Sequence, residues 1–300
     1  GPTGPRLHST PMTRALLFES PDPLQYFATL VADDASLPLL EAAAAVAQAA
    51  DPGVDVQGVL AEVDALAATL RRRLPADAGA LQRLRLLNRY FFGELGFAGN
   101  VQAYDDARNS DLAQVLARRR GIPITLALLY IELATQVGLK ASGISFPGHF
   151  LVKLRLPQGE AVIDPFSGES LSRAQLEQRL APARRALGLQ GEDEIPLELY
   201  LQSATPRAIL ERMLRNLEAI HRATGDRQAL LAVQERLVVL LPDEPAERRE
   251  RGLTLAALGR LERACEDVEA YLAQARRAPD AQALRRRLAS WRAVPPPALH

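Results

Sequence analysis

The chain has 300 residues, 48% of them hydrophobic and 24% charged, which is long enough and apolar enough for two domains with their own cores. Lys+Arg and Asp+Glu are equal at 36 each, so no global field favours nucleic acid or an anionic membrane. The single cysteine, Cys265, excludes an internal disulfide framework and a cysteine-based zinc site, and no apolar run reaches the ~18 residues of a membrane-spanning helix.

Residues 1–20 read as a leader or disordered tail, because the opening stretch lacks an apolar segment. From Pro21 to about Phe97 the pattern is helical. Pro21-Asp22-Pro23 starts a helix ahead of Leu24, Phe27, Leu30 and Val31. Ser36 is positioned to cap an alanine-rich helix over 37–50, and a third helix over 56–74 closes on Arg71, Arg72 and Arg73, which suit a helix C-terminus. A fourth, 78–96, ends in the aromatic cluster Tyr90, Phe91 and Phe92.

The segment 97–109 reads as loop, with Ser110 a candidate cap for a helix over 111–119. Gly121-Ile122-Pro123 precedes a helix over 124–137 with almost no polar face, so this helix must be buried on most sides and end at Gly138. Period-two alternation then predicts strands over 140–146, 149–156 and 161–164, the last two joined by the turn Pro157-Gln158-Gly159. Helices, a central buried helix and a small antiparallel sheet make an α+β domain. Gly191-Glu192-Asp193-Glu194 is the linker candidate, dividing the chain into 21–194 and 195–300. Beyond Pro206, helical segments fall near 206–223, 227–241, 245–258, 261–275 and 281–292. Gly225 and Gly259 are spaced by about 34 residues, the tetratricopeptide period.

One constellation can carry chemistry. With an even number of residues in the intervening turn, His149 and Asp164 share a sheet face as diagonal cross-strand neighbours. A carboxylate there fixes the imidazole tautomer and raises its basicity, as a general base requires; a purely structural hydrogen bond is the competing reading. No His, Cys and carboxylate cluster has metal-ligand spacing and no glycine-rich phosphate loop occurs, so neither a metal nor a cofactor is expected. The chain is expected to be cytoplasmic.

The stretch Arg119-Arg120-Gly121-Ile122-Pro123, the buried helix, Gly138-Leu139, Pro147-Gly148-His149-Phe150 and Asp164-Pro165 resemble the SirB1 family. Phe91-Phe92, Gly96-Phe97, Gly99-Asn100, Asn109-Ser110 and Arg212 to Leu217 add to the likeness, which covers about residues 20–280. The resemblance implies a papain/transglutaminase-like core followed by tetratricopeptide repeats. In catalytic members of that group a cysteine begins the central helix, ahead of a strand histidine and a strand aspartate. Here the cysteine position falls on Pro123, which has no nucleophilic atom and merely starts a helix.

Thr125, two residues on, could supply a hydroxyl if exposed beside a base, with capping as the alternative. Ser110 is open to a cap or a site role, and Asn109 to shaping the loop or lining the cleft. Cys265 falls in a repeat helix, where packing is its default. The expected function is therefore a protein- or peptide-binding module lacking the cysteine nucleophile, with cleft and repeat groove as the partner surface. The alternatives are a hydrolase or acyl transferase in which His149–Asp164 activates water or a hydroxyl, and a purely architectural pair with all binding in the repeats.

Overall fold

The structure, a computed structural model, describes residues 21–188, 191 and 194–298. The leader expected over 1–20, the terminal His300, and Glu192 and Asp193 of the linker candidate lie outside the described residues.

Helix α1 (Pro23–Leu30) takes Pro23 in its first turn, where the missing N–H costs nothing. Helix α2 is shorter than the alanine run suggests, Leu39–Val46, because Ser36 bonds back to Asp33 in a 3₁₀ turn and Pro38 takes the cap position. In α3 (Val56–Arg73) the Asp55 carboxylate accepts from the Gly58 N–H, and Val56, Val59, Val63, Ala67 and Leu70 form one buried stripe. Helix α4 (Ala80–Asn88) widens into a π turn over Arg89–Glu94, which carries Phe91 into the core, where it stacks on Phe97.

Strands β1 (Ala98–Gly99) and β2 (Arg120–Gly121) form a short parallel ladder around α5 (Leu112–Arg118). Asp111 rather than Ser110 caps α5: its carboxylate accepts from the Ala113 N–H at 2.9 Å, as an ionised oxygen one residue later does better than a hydroxyl. Helix α6 (Pro123–Gln136) buries Ile124 through Tyr130 without interruption, together with Leu133 and Ala134. Gly138, at φ 86°, ends it in the left-handed conformation that glycine adopts without steric cost.

Behind α6 runs an antiparallel meander of β3 (Lys140–Phe146), β4 (His149–Leu156), β5 (Gly159–Asp164) and β6 (Glu169–Leu171). Alternation divides its side chains between two layers. Phe150, Val152, Leu154 and Ile163 join the core around α6, whereas Ile144, Phe146, Leu151 and Val162 pack with Leu176 and Leu180 of α7 (Arg173–Ala186). The expected pairing of the buried helix with 149–156 and 161–164 in one sheet is what the structure shows.

After α8 (Leu197–Tyr200) the chain is all-helical: α9 (Pro206–Thr224), α10 (Arg227–Leu240), α11 (Pro245–Ala257), α12 (Leu261–Gln274) and α13 (Ala281–Arg292). The first hairpin does not stand apart. Ile209, Leu210, Met213, Leu214 and Leu217 of α9, with Val233, Leu237 and Leu240 of α10, belong to the same apolar cluster as Phe27, Ala42 to Val46 and the residues of α6. Arg207 pins the junction, donating to Asp34 Oδ1 at 2.6 Å and to the carbonyls of Leu240 and Val31 at 2.6 and 2.5 Å. The second hairpin and α13 pack in smaller clusters of their own. Among the described residues no helix is long and apolar enough to cross a membrane.

Candidate functional site

His149 opens β4 immediately after the Pro147–Gly148 turn and sits opposite Phe146 of β3, with ring centroids 6.4 Å apart. The turn between β4 and β5 holds two residues, since Leu156 pairs with Gly159. The register therefore puts Asp164 two positions diagonally from His149 on the same face, the one covered by α7. The expected hydrogen bond between them is not formed. Asp164 is 7% exposed, and both its oxygens are taken: Oδ1 accepts from the Phe166 N–H at 2.9 Å and Oδ2 from Arg179 of α7 at 2.7 Å. A guanidinium brings a full charge and a geometry suited to a carboxylate, so it outcompetes a neutral imidazole for that oxygen.

The imidazole is left without a hydrogen-bond partner on either ring nitrogen among the described residues, and its pKa is lowered. Burial is the main cause, the Arg179 charge adds to it, and the nearby Asp164 carboxylate opposes it ahead of a smaller lowering contribution from Arg212. Its lowered pKa favours a neutral, partly buried ring.

Arg212, on α9, grips both sides of the turn that carries His149. One of its terminal nitrogens donates to Ser145 Oγ at 2.8 Å and to the Phe146 carbonyl at 3.2 Å, and the guanidinium lies 5.6 Å from the centre of the Phe150 ring. Burial pushes its pKa down, and Tyr104 is the group that opposes this. Periodicity gave no signal for Arg179 or Arg212, because each acts across a fold junction from an otherwise ordinary helix.

The residues expected at the start of α6 form a second assembly. Thr125 is 0% exposed; its hydroxyl donates to the Asn109 carbonyl at 2.7 Å and accepts from the Ile122 N–H at 3.2 Å. Asn109 is equally buried: its amide donates to the carbonyls of Ala103 and Tyr104 and accepts from Asn100 Nδ2 at 3.0 Å. Together these bonds fold the segment 100–110 back onto α6 and hold Tyr104 outward, its ring 5.9 Å from Phe166. Gly99 lies against that ring too closely for any side chain: a Cβ there would meet Phe166 atoms at 2.2 Å. Pro123 begins α6, half-buried.

No hydrogen bond or ion pair among the described residues joins His149 or Asp164 to Pro123, Thr125, Asn109 or Ser110.

Ser110 is 2% exposed, and its hydroxyl has no hydrogen-bond partner among the described residues. It stands in the wall of an open cavity of about 470 Å³ bounded by Tyr104, Asp105 and Ile122 on one side and by Asn216, Ile220 and Thr224 of α9 on the other. Cys265 is remote from this region, half-buried in α12, its pKa raised chiefly by burial. Among the described residues no group of three or more His, Cys, Asp or Glu side chains is placed to hold a metal ion.

A central helix start, a strand histidine, a strand aspartate and an antiparallel meander define a class, and the comparison with known families agrees. The chain belongs to the transglutaminase-like superfamily, whose profile matches residues 57–215, and a tetratricopeptide repeat profile matches residues 217–289. Similar proteins carry the name UPF0162. One from Xylella fastidiosa strain Temecula1 is 38% identical over 243 residues, 80% of this chain and 85% of the relative. Another, from Pseudomonas aeruginosa, is 34% identical over 71% of this chain and 76% of its own length. The UPF0162 protein YchA of Escherichia coli K12 is 26% identical over 76% of this chain and 83% of its own length. No solved structure shows a significant match.

Proposed function

We propose that this chain is a peptide-binding member of its superfamily that performs no thiol acyl transfer, consistent with the resemblance to the SirB1 family, and that it acts as a cytoplasmic interaction module. The cleft between the segment 100–110 and α9 is the binding surface. The observation that carries this reading is the buried Ser110 hydroxyl, left without a partner in the wall of a cavity whose opposite side is a repeat helix. A buried polar group is normally paired, and an extended peptide offers backbone donors and acceptors that would pair it. The proline at the cysteine position and the engaged hydroxyl of Thr125 support binding over nucleophilic attack. Asn109 and Thr125 hold the segment 100–110 that forms one wall of the cleft.

The test is selection from a phage-displayed random heptapeptide library on the full chain. Ala219 is exposed on α9 at the cavity, so Ala219→Trp fills the space without touching the core. Enrichment on the parent chain and its loss in Ala219→Trp, with an unchanged melting temperature, is the expected result. Equal enrichment on both would place any binding elsewhere and sink the reading. The hydrolase alternative draws on the imidazole of His149, whose lowered pKa favours the neutral form and which has no hydrogen-bond partner among the described residues. Hydrolysis of p-nitrophenyl acetate that disappears in His149→Ala would revive it.

A further inference from the structure

The sequence contains two lysines, Lys140 and Lys153, and the fold brings both to one cavity. Strand parity puts Lys140 and Ser142 of β3, Lys153 and Arg155 of β4 and Glu160 of β5 on one face of the sheet. It is the face that α7 covers at Ile144, Leu151 and Val162. At this end of the strands the face is open, and Lys140, Arg155 and Glu160 are exposed. Together with Ser203, from the segment after α8, and Leu139, which follows α6, they bound a cavity of about 400 Å³. It shares no residue with the cleft along α9.

This register is unfavourable on its own. Lys140 is paired directly with Arg155, and like charges directly opposite each other in an antiparallel pair repel. Lys153 lies two residues along β4 from Arg155 and adds a third positive charge on the same side. None of the three has an ion pair among the described residues, although Glu160 faces Arg155 from β5. Other exposed arginines are met by carboxylates, such as Arg73 by Glu94 and Arg173 by Glu198.

Donors remain for a ligand. The Lys153 ammonium gives one hydrogen to the Leu201 carbonyl at 2.9 Å and keeps two. Ser142 Oγ and Ser203 Oγ are 2.8 Å apart; one donates to the other, and the acceptor's own proton is left free.

The local charge selects the kind of anion. Three cations less the Glu160 carboxylate leave two positive charges, which match a phosphate monoester dianion rather than a carboxylate. An ammonium meets phosphate as a point charge, and a guanidinium can take two of its oxygens at once. A volume of about 400 Å³ is that of a small-molecule site, with room for a substituent beyond the phosphate group. Leu139 and Ala141 give the cavity an apolar side on which that substituent would rest.

We propose that Lys140, Lys153 and Arg155 form a binding site for the phosphate group of a small phosphate monoester, with Ser142 or Ser203 as a neutral donor. The site stands apart from the peptide-binding cleft and does not depend on it.

The test is isothermal titration calorimetry of the full chain with phenyl phosphate at about pH 8, where the ester is a dianion. Saturable binding is expected, and benzoate, a monoanion with the same ring, should bind about tenfold or more weakly. Inorganic phosphate should also bind more weakly than the ester, since it leaves the apolar side uncovered. Lys140→Glu separates the site from the fold. It sets opposite charges across from each other, so the melting temperature should hold or rise while affinity for phenyl phosphate falls about tenfold or more. A second measurement needs no variant. Reductive methylation with isotope-labelled formaldehyde keeps the lysine charge, and the signals of both lysines should shift as phenyl phosphate is added. No saturable binding up to about 10 mM, equal affinity for benzoate, or unaltered affinity in Lys140→Glu would each overturn the phosphate site. Binding that leaves both lysine signals in place would put the phosphate elsewhere and overturn it too. Inorganic phosphate binding as tightly as the ester would overturn the ester as ligand.

Discussion

His149 shows how a residue's neighbours, rather than its identity, decide what it can do. Burial and the Arg179 charge disfavour the imidazolium, so the folded pKa lies below the ordinary 6.5. As pH falls through that ordinary value, the unfolded chain takes up a proton that the native state resists, and stability is lost until the folded value is passed. His221, lowered by burial with Asp226 opposing, contributes in the same direction. The melting temperature should therefore fall as pH drops through about 6.5, the ordinary imidazole value, and His149→Gln should remove part of that slope. Parallel slopes in the two proteins would show that His149 titrates alike in both states. At this scale residue types and strand parity were legible in the sequence, and partners were not. The diagonal placement of His149 and Asp164 followed from strand period and turn length. The engagement of Asp164 by Arg179 did not, because α7 carries no periodic signal that fixes which of its arginines turns toward the sheet. Thr125 and Asn109 were legible as polar residues at a loop–helix junction, yet their mutual bond became visible only once the segment 100–110 had folded over α6.

Elements with strong period were readable along the chain, and those too short to show a period were not. The alternation in β3, β4 and β5 and the apolar circumference of α6 identified the sheet and its central helix. Strands β1, β2 and β6 span two or three residues each, below the length at which alternation can be recognised. Junctions between elements are where single side chains matter most, and Arg207 is the clearest case. Its three nitrogens satisfy the last carbonyls of α1 and α10 and the Asp34 carboxylate, tying the N-terminal helices to the first repeat hairpin. A cation at two helix C-termini is favourable in both fields, and its removal leaves two carbonyls to find water. Arg207→Ala should cost about 2–3 kcal/mol in urea unfolding, and Arg207→Lys should recover only part, since an ammonium cannot reach three acceptors set out as a fork. A loss below about 0.5 kcal/mol would mean that solvent replaces these bonds without penalty.

For the molecule as a whole, the apolar core does not respect the boundary that the linker suggests. One cluster runs from Phe27 and the alanines of α2 through α6 to Leu240, whereas the second hairpin is held by smaller clusters around Val268 and Leu255. Ending the chain near Glu194 strips α9 and α10 from that core and should yield an aggregating product by size-exclusion chromatography. Ending it after Leu241 should leave a monomer-sized species with a cooperative melt. If the shorter fragment melted cooperatively at the full-length temperature, the core would be divisible after all. Sequence patterning found the helices of this region and their repeat period; it could not show that their first face is spent on a neighbour, since an apolar stripe looks the same whatever covers it. Helix α9 is accordingly shared property, a repeat helix by sequence and the second wall of the cleft by position. Tetratricopeptide arrays are commonly handled as interchangeable cassettes, grafted between proteins with their specificity intact. This one would not travel. A graft of α9 to α13 would carry Asn216, Ile220 and Thr224 but leave behind Tyr104, Ser110 and Ile122, delivering half of a mould whose other half stays with the donor.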